Sequence, residues 1–255
     1  MTLWFVTPAW QRFELSAICF EQRRRVIDLL QGQGVDARCV VIAADENLEI
    51  ARALGFDTVE RDNRWLGRKF NDGIEYALRN GAEWVVPIGS DSWIDPTYLA
   101  HLVPGQARTS RCYAVVEAAR MLLLTVEGVG PHVLHRNQFT ISGPRPAGEK
   151  LRRGFDTSLL RAVGPIDWEV RDVHPLQYVG FRGERHITLY RKLQAAYGGE
   201  EVMDPWSALE RYYPPDLVAR ARSSLAGVRR PVSLGRLDRW SIRDHLLTAF
   251  DRFRR

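Results

Sequence analysis

The chain has 255 residues, 45% hydrophobic and 26% charged, the balance of a folded globular protein, which excludes long disorder. No apolar run approaches the ~18 residues that span a bilayer, and the N-terminus lacks a positive flank, so the expectation is a chain that stays in the cytoplasm with no membrane insertion. The net charge of +5 is unevenly placed: residues 211–255 carry +7 and the rest −2, so only the tail suggests an anionic partner.

Leu3-Trp-Phe-Val6 is an apolar run stopped by Thr7-Pro8, the pattern of a buried strand ending in a loop. From Phe13, apolar positions at Leu15, Ile18, Cys19, Val26, Leu29 and Leu30 recur at helical spacing, closed by Gly32 and Gly34. The triplet Arg23, Arg24 and Arg25 is expected on that helix's solvated face. The β-branched run 38–44 reads as a strand covered on both faces. It ends in Asp45-Glu46-Asn47, with Asn47 expected to cap a short helix over 48–54. Thr58-Val59 makes a short strand, 66–78 a third helix stopped by Asn80-Gly81, and 83–88 a buried strand running into Gly89-Ser90-Asp91-Ser92. Asp95-Pro96 is expected to open another helix.

Strands and helices alternating over the first hundred residues predict an α/β fold, a mainly parallel sheet with helices on both faces. Ligands bind such sheets beyond the carboxyl ends of the strands. The polar clusters stand there: Thr7, Pro8 and Ala9, then Asp45 and Glu46, then Gly89, Ser90 and Asp91. No Gly-x-Gly-x-x-Gly follows the first strand and no P-loop occurs, which disfavours dinucleotide oxidoreductases and P-loop nucleotidases. Farther on, 113–116 and 121–124 read as neighbouring strands, Gly128 and Gly130 as a tight loop, and Asp156 as the start of a helix. An apolar stretch covers 170–181, and beyond Ala195 a proline-punctuated helical appendage follows. Cys19, Cys39 and Cys112 have neither disulfide nor metal spacing and read as buried small hydrophobes.

Arg68-Lys-Phe-Asn-Asp-Gly73, followed by the strand that ends in Gly89-Ser-Asp91 and by Asp95-Pro-Thr-Tyr-Leu99, resembles the nucleotide-binding half of GT-A glycosyltransferases, particularly family 2-like enzymes. With Asp45-Glu-Asn47, Asp156-Thr-Ser158 and His174-Pro-Leu-Gln177 in the same order, the chain also looks like compact glycosyltransferase-like proteins encoded by actinobacterial phages. The resemblance implies a GT-A domain over 1–195, with a nucleotide-binding half (1–105) and an acceptor half (106–195), before a basic helical extension over 196–255. It implies sugar transfer from a nucleoside-diphosphate sugar to a hydroxyl of a protein, a modified DNA base or a glycan, by an inverting displacement. Thr7, Pro8, Ala9, Asp45, Arg68, Lys69, Ser90, Asp91, Gly128 and Gly130 would then bind the nucleotide sugar. Asp91 and His174 would hold Mg2+ or Mn2+, and Asp156 would be the general base. Gly89 departs from the family's Asp-x-Asp pattern, leaving one acidic position of two. Trp4 and Trp84 are expected in the core, Trp65 and Trp93 beside the site. The rivals are a nucleotidyltransferase, disfavoured because Thr7 to Arg12 contains no glycine, and a non-catalytic nucleic-acid or carbohydrate-binding protein.

Overall fold

The alternation of apolar runs with amphipathic segments forms β1 (Thr2–Pro8), α1 (Phe13–Gly32), β2 (Asp36–Ala43), α2 (Asn47–Ala53), β3 (Asp57–Glu60), α3 (Leu66–Arg79) and β4 (Trp84–Pro87). A computed structural model describes residues 1–126, 131–151, 155–163, 168–182 and 190–226. β1 lies between β2 and β4 with β3 beyond β2, and all four run parallel. The continuous apolar run of β1 follows from cover on both faces. On one side Leu3, Phe5 and Val41 pack against Phe20, Ile27, Leu30 and Leu48 of α1 and α2. On the other, Trp4, Val6 and Ile42 pack against Phe70, Ile74 and Ala77 of α3.

α3 approaches the sheet through Gly73, where a Cβ would stand 2.5 Å from both Val6 Cγ1 and Ile42 Cδ1. Both atoms belong to close-packed strands, so Gly73→Ala is expected to cost about 1–3 kcal/mol through overpacking. Urea unfolding reads this directly; an unchanged midpoint would show that helix and sheet can separate without cost.

The remaining elements are β5 (Ser92–Ile94), a 3-10 turn (Pro96–Leu99), β6 (Ala107–Thr109), β7 (Cys112–Glu117), β8 (Arg120–Thr125), β9 (Leu134–His135), a second 3-10 turn (Arg136–Gln138), α4 (Phe139–Ser142), α5 (Phe155–Val163), β10 (Trp168–Val170), β11 (Tyr178–Arg182), α6 (Tyr190–Tyr197), β12 (Glu200–Val202), α7 (Pro205–Leu209) and α8 (Pro215–Ala226). β9 extends the first sheet antiparallel to β4. A second sheet runs β12-β8-β7-β11-β5, built on the β7–β8 hairpin. β10 pairs with β6 in a small ribbon.

Three local expectations change. The helix expected after Asp95 is a single 3-10 turn, because Trp93 and Ile94 are drawn into β5 by pairing with Val179 and Tyr178. Asn47 does not cap α2; Asp45 accepts from the Asn47 backbone N–H at 3.2 Å, and Asn47 is the buried first residue of the helix. Arg23 is fully buried rather than on a solvated face.

The appendage packs into the body. Trp206, Leu209, Tyr213, Leu217 and Ala221 share a core with Leu15, Ile18, Trp93 and Phe181, while Asp216 and Arg220 of α8 pair with Arg25 and Glu21 of α1. The tail from 227 onward, with most of the positive charge, lies outside the described residues. No described helix is long and apolar enough to cross a membrane.

Candidate functional site

In the order β3-β2-β1-β4 the chain leaves β1 toward one edge and returns on the other side as β4, which opens a crevice at their carboxyl ends. Thr7, Pro8 and Ala9 line it from β1, and Ser90 and Asp91 from the exit of β4, with Asp45 beside them at the end of β2. All but Asp45 and Asp91 are buried.

The loop after β1 holds two consecutive left-handed residues, Gln11 and Arg12, each with φ 54°. Such conformations in non-glycine residues cost of order 1–3 kcal/mol each and persist only where the surroundings over-determine them. The restraints are visible. Ala9 N–H donates to the Ile42 carbonyl at 2.9 Å, and Gln11 N–H donates to Asp45 Oδ2 at 3.0 Å. Asn47 Nδ2 donates to Asp45 Oδ1 at 2.7 Å and to the Gln11 carbonyl at 3.3 Å. Lys69, only 3% exposed, donates to the Ala9 carbonyl at 2.5 Å and to Asn63 Oδ1. Burial pulls its pKa down to about 8, against the opposing pull of Asp45 and Asp62.

This loop aims Arg12 at Asp91. Arg12 Nη1 lies 2.9 Å from Asp91 Oδ2, and Arg182, from the end of β11, reaches the same oxygen at 3.4 Å. Ser92 Oγ donates to Oδ1 at 3.2 Å. Gly89 makes room for this arrangement, since a Cβ there would stand 2.4 Å from Asp91 Oδ1. Beneath lies Arg23, whose Nη1 donates to Thr7 Oγ1 at 2.6 Å and whose Nη2 donates to the carbonyls of Gly89 at 3.1 Å and Ser92 at 3.2 Å. One guanidinium from α1 therefore ties the end of β1 to the end of β4, and its partners are neutral oxygens.

Among the described residues the donor set does not fit a divalent cation. Asp91 offers a carboxylate already clasped by two guanidiniums, and Gly89 offers no side chain. His174 accepts from the Leu176 N–H on Nδ1 at 3.2 Å and places Nε2 beside Asp95 Oδ2 at 3.1 Å, while its ring stacks on Tyr212 at 4.0 Å. Burial alone would raise the Asp95 pKa, but His174 and the Thr97 hydroxyl and amide hold it below the usual range. His174 thus packs the appendage onto the body. Asp91 and His174, the expected metal pair, have separate partners, and no group of three or more His, Cys, Asp or Glu is assembled among the described residues.

The other expected residues divide. Arg68 Nε meets Glu149 Oε2 at 3.1 Å in a half-exposed pair. Asp156 is the second residue of α5, a helix anchored by Leu159 and Val163, and its side chain lies outside the described residues. Gly128 and Gly130 lie outside them too. Trp4 and Trp84 are core, as expected; Trp93 is core as well, edge-on to Phe181 with centroids 4.7 Å apart, and cannot stack on a sugar. Trp65 precedes α3 with Arg64 over its ring. Arg12, Arg23 and Arg182 were missed. Arg12 carried a usable signal, a charge at the end of the loop after the first strand.

Among solved structures, S. aureus TarS 1–349 in complex with UDP superimposes with a TM-score of 0.54 at 12% identity, covering 72% of this chain and 61% of that one. The fold is GT-A-like. A second S. aureus TarS structure gives 0.52 at 11% identity, covering 72% of this chain and 37% of that one. No family model matches the GT-A-like chain. In sequence it matches a ribosomal RNA small subunit methyltransferase G of Xanthomonas axonopodis pv. citri, 36% identical over 106 residues. That match covers 37% of this chain, which spans less than half (45%) of that protein.

Proposed function

We propose that the chain is a glycosyltransferase that takes a sugar from a nucleoside-diphosphate donor and passes it to a hydroxyl, with inversion. The observation that carries this reading is the convergence of the Asp45–Gln11 loop and the Arg12–Asp91–Arg182 cluster on one crevice at the switch between β1 and β4. The TarS likeness supports the fold, and TarS itself was solved with UDP.

In this reading the nucleoside lies along Thr7, Pro8 and Ala9, its base hydrogen-bonded to Asp45, and the diphosphate lies toward Lys69 and Asp91. Asp156, in the first turn of α5, takes the proton of the acceptor hydroxyl as its oxygen attacks the anomeric carbon. The bond from that carbon to the diphosphate breaks, and the electron pair leaves on the phosphate oxygen. A nucleotidyltransferase reading loses ground because the turn from Thr7 to Arg12 is held by Asp45 and Lys69 and contains no glycine to wrap a triphosphate.

The test is a thermal-shift panel of UDP-, GDP-, dTDP- and CDP-sugars. The cognate donor at ~100 times its dissociation constant should add about 2.7 kcal/mol; no response across the panel would overturn the reading. Lys69 supplies a pH signature. Below about pH 8 the amine is charged and an anion finds its cation ready; above it, binding must first recharge a desolvated amine. Donor affinity should therefore be full below pH 8 and fall as pH rises through it. Lys69→Met should bind weakly at pH 7 and show no further fall to pH 9, whereas a matching fall in the variant would assign the titration elsewhere.

A further inference from the structure

We propose that this site takes its nucleoside diphosphate without a divalent cation, the guanidinium groups of Arg12 and Arg182 standing where a metal would act. The inference rests on the nucleotide-sugar reading above and departs from the metal that the sequence resemblance implies.

The metal that the resemblance implies would call on carboxylates at both position 89 and position 91. Here the first carboxylate is replaced by Gly89, and the second folds back over that glycine onto two arginines. Restoring a side chain at position 89 would collide with Asp91 at 2.4 Å, so the Gly89 backbone and the Arg–Asp–Arg clasp are two halves of one arrangement. Arg23 stands directly behind, holding the Gly89 and Ser92 carbonyls. Arg12 and Asp91 are 24% and 15% exposed, so the cluster reaches solvent through them, while Arg182, 12% exposed, is also held by Tyr113 Oη, to which its Nη2 donates.

The chemistry suits a diphosphate. Guanidinium is permanently charged, and its planar fork matches paired phosphate oxygens. Asp91 then acts as a positioning residue that holds both guanidiniums toward the crevice, and the strained backbone at Gln11 and Arg12 serves the same aim. As the bond to the sugar breaks, the growing charge on the diphosphate falls on groups already in place.

The experiment is calorimetric titration of the full chain with UDP, GDP, dTDP and CDP, in EDTA and again with millimolar Mg2+ or Mn2+. One nucleotide should bind in EDTA, with an affinity that either metal changes less than threefold. Binding only in the presence of metal would overturn the inference and leave the glycosyltransferase reading intact; no binding under either condition would overturn both. Arg12→Met and Arg182→Met, checked for wild-type unfolding midpoints, should each weaken the nucleoside diphosphate at least tenfold while leaving the matching nucleoside within twofold. If either variant unfolds, Arg12→Lys and Arg182→Lys, which keep the charge and lose the fork, are titrated instead and should lose affinity by about threefold or more. Diphosphate affinity at the wild-type value in folded variants would make the cluster an ordinary ion-pair network.

Discussion

Arg23→Leu is expected to lower the unfolding free energy by about 3–5 kcal/mol, because the substitution takes from Thr7 Oγ1 and from the Gly89 and Ser92 carbonyls the guanidinium that donates to all three from a fully buried side chain. Each abandoned acceptor costs about 1–3 kcal/mol, and leucine fills only part of the guanidinium's volume. Because Arg23 joins the two strand ends that form the crevice, donor affinity should fall too, even at temperatures where the variant stays folded. Denaturant unfolding measures the first effect and titration of the cognate nucleotide the second. A loss below ~1 kcal/mol would mean that the strand ends hold their positions without this bridge.

Asp156→Asn is expected to slow donor turnover by about 10²–10⁴-fold while leaving nucleotide affinity unchanged, the pattern of a group acting on the proton and not on the leaving group. The position lies in the first turn of α5, so removing the charge costs the helix only a few tenths to about 1 kcal/mol. Slow hydrolysis of the donor, followed by release of the free nucleoside diphosphate, provides the assay without an identified acceptor. Unchanged turnover would move the base to another residue; loss of nucleotide binding would make Asp156 a structural one.

The parallel half of the fold was legible because its signals are local. Each of its strands is an apolar run bounded by a polar cluster, and each helix has its stop within a few residues, as at Asn80 and Gly81. Asp45 and Asp91 could be placed beside the crevice for the same reason, since the carboxyl-end rule needs only strand order and direction. What escaped depends on distant partners. β5 is a strand because β11, more than eighty residues later, pairs with it. α1 is covered by the sheet on one face and by α8 on the other, so its periodicity could not assign Arg23 to solvent or core. His174 resembled a ligand, but its Nδ1 accepts from the Leu176 N–H and its Nε2 stands beside Asp95, pairings that no spacing in the sequence announces. Arg182 gave no sequence signal, because what matters is the oxygen it shares with Arg12.

The paired left-handed residues before α1 place this protein on a trade-off between durability and readiness. Glycine at position 11 or 12 would adopt φ 54° without steric cost, so the native residues keep the fold below the stability its topology allows. Gln11 can be spared only as far as its backbone amide still faces Asp45, whereas glycine in place of Arg12 removes the charge that the bent backbone delivers. A search for thermostable variants would select changes in this turn early, and the same variants are expected to be the first to lose the nucleoside-diphosphate affinity proposed for it.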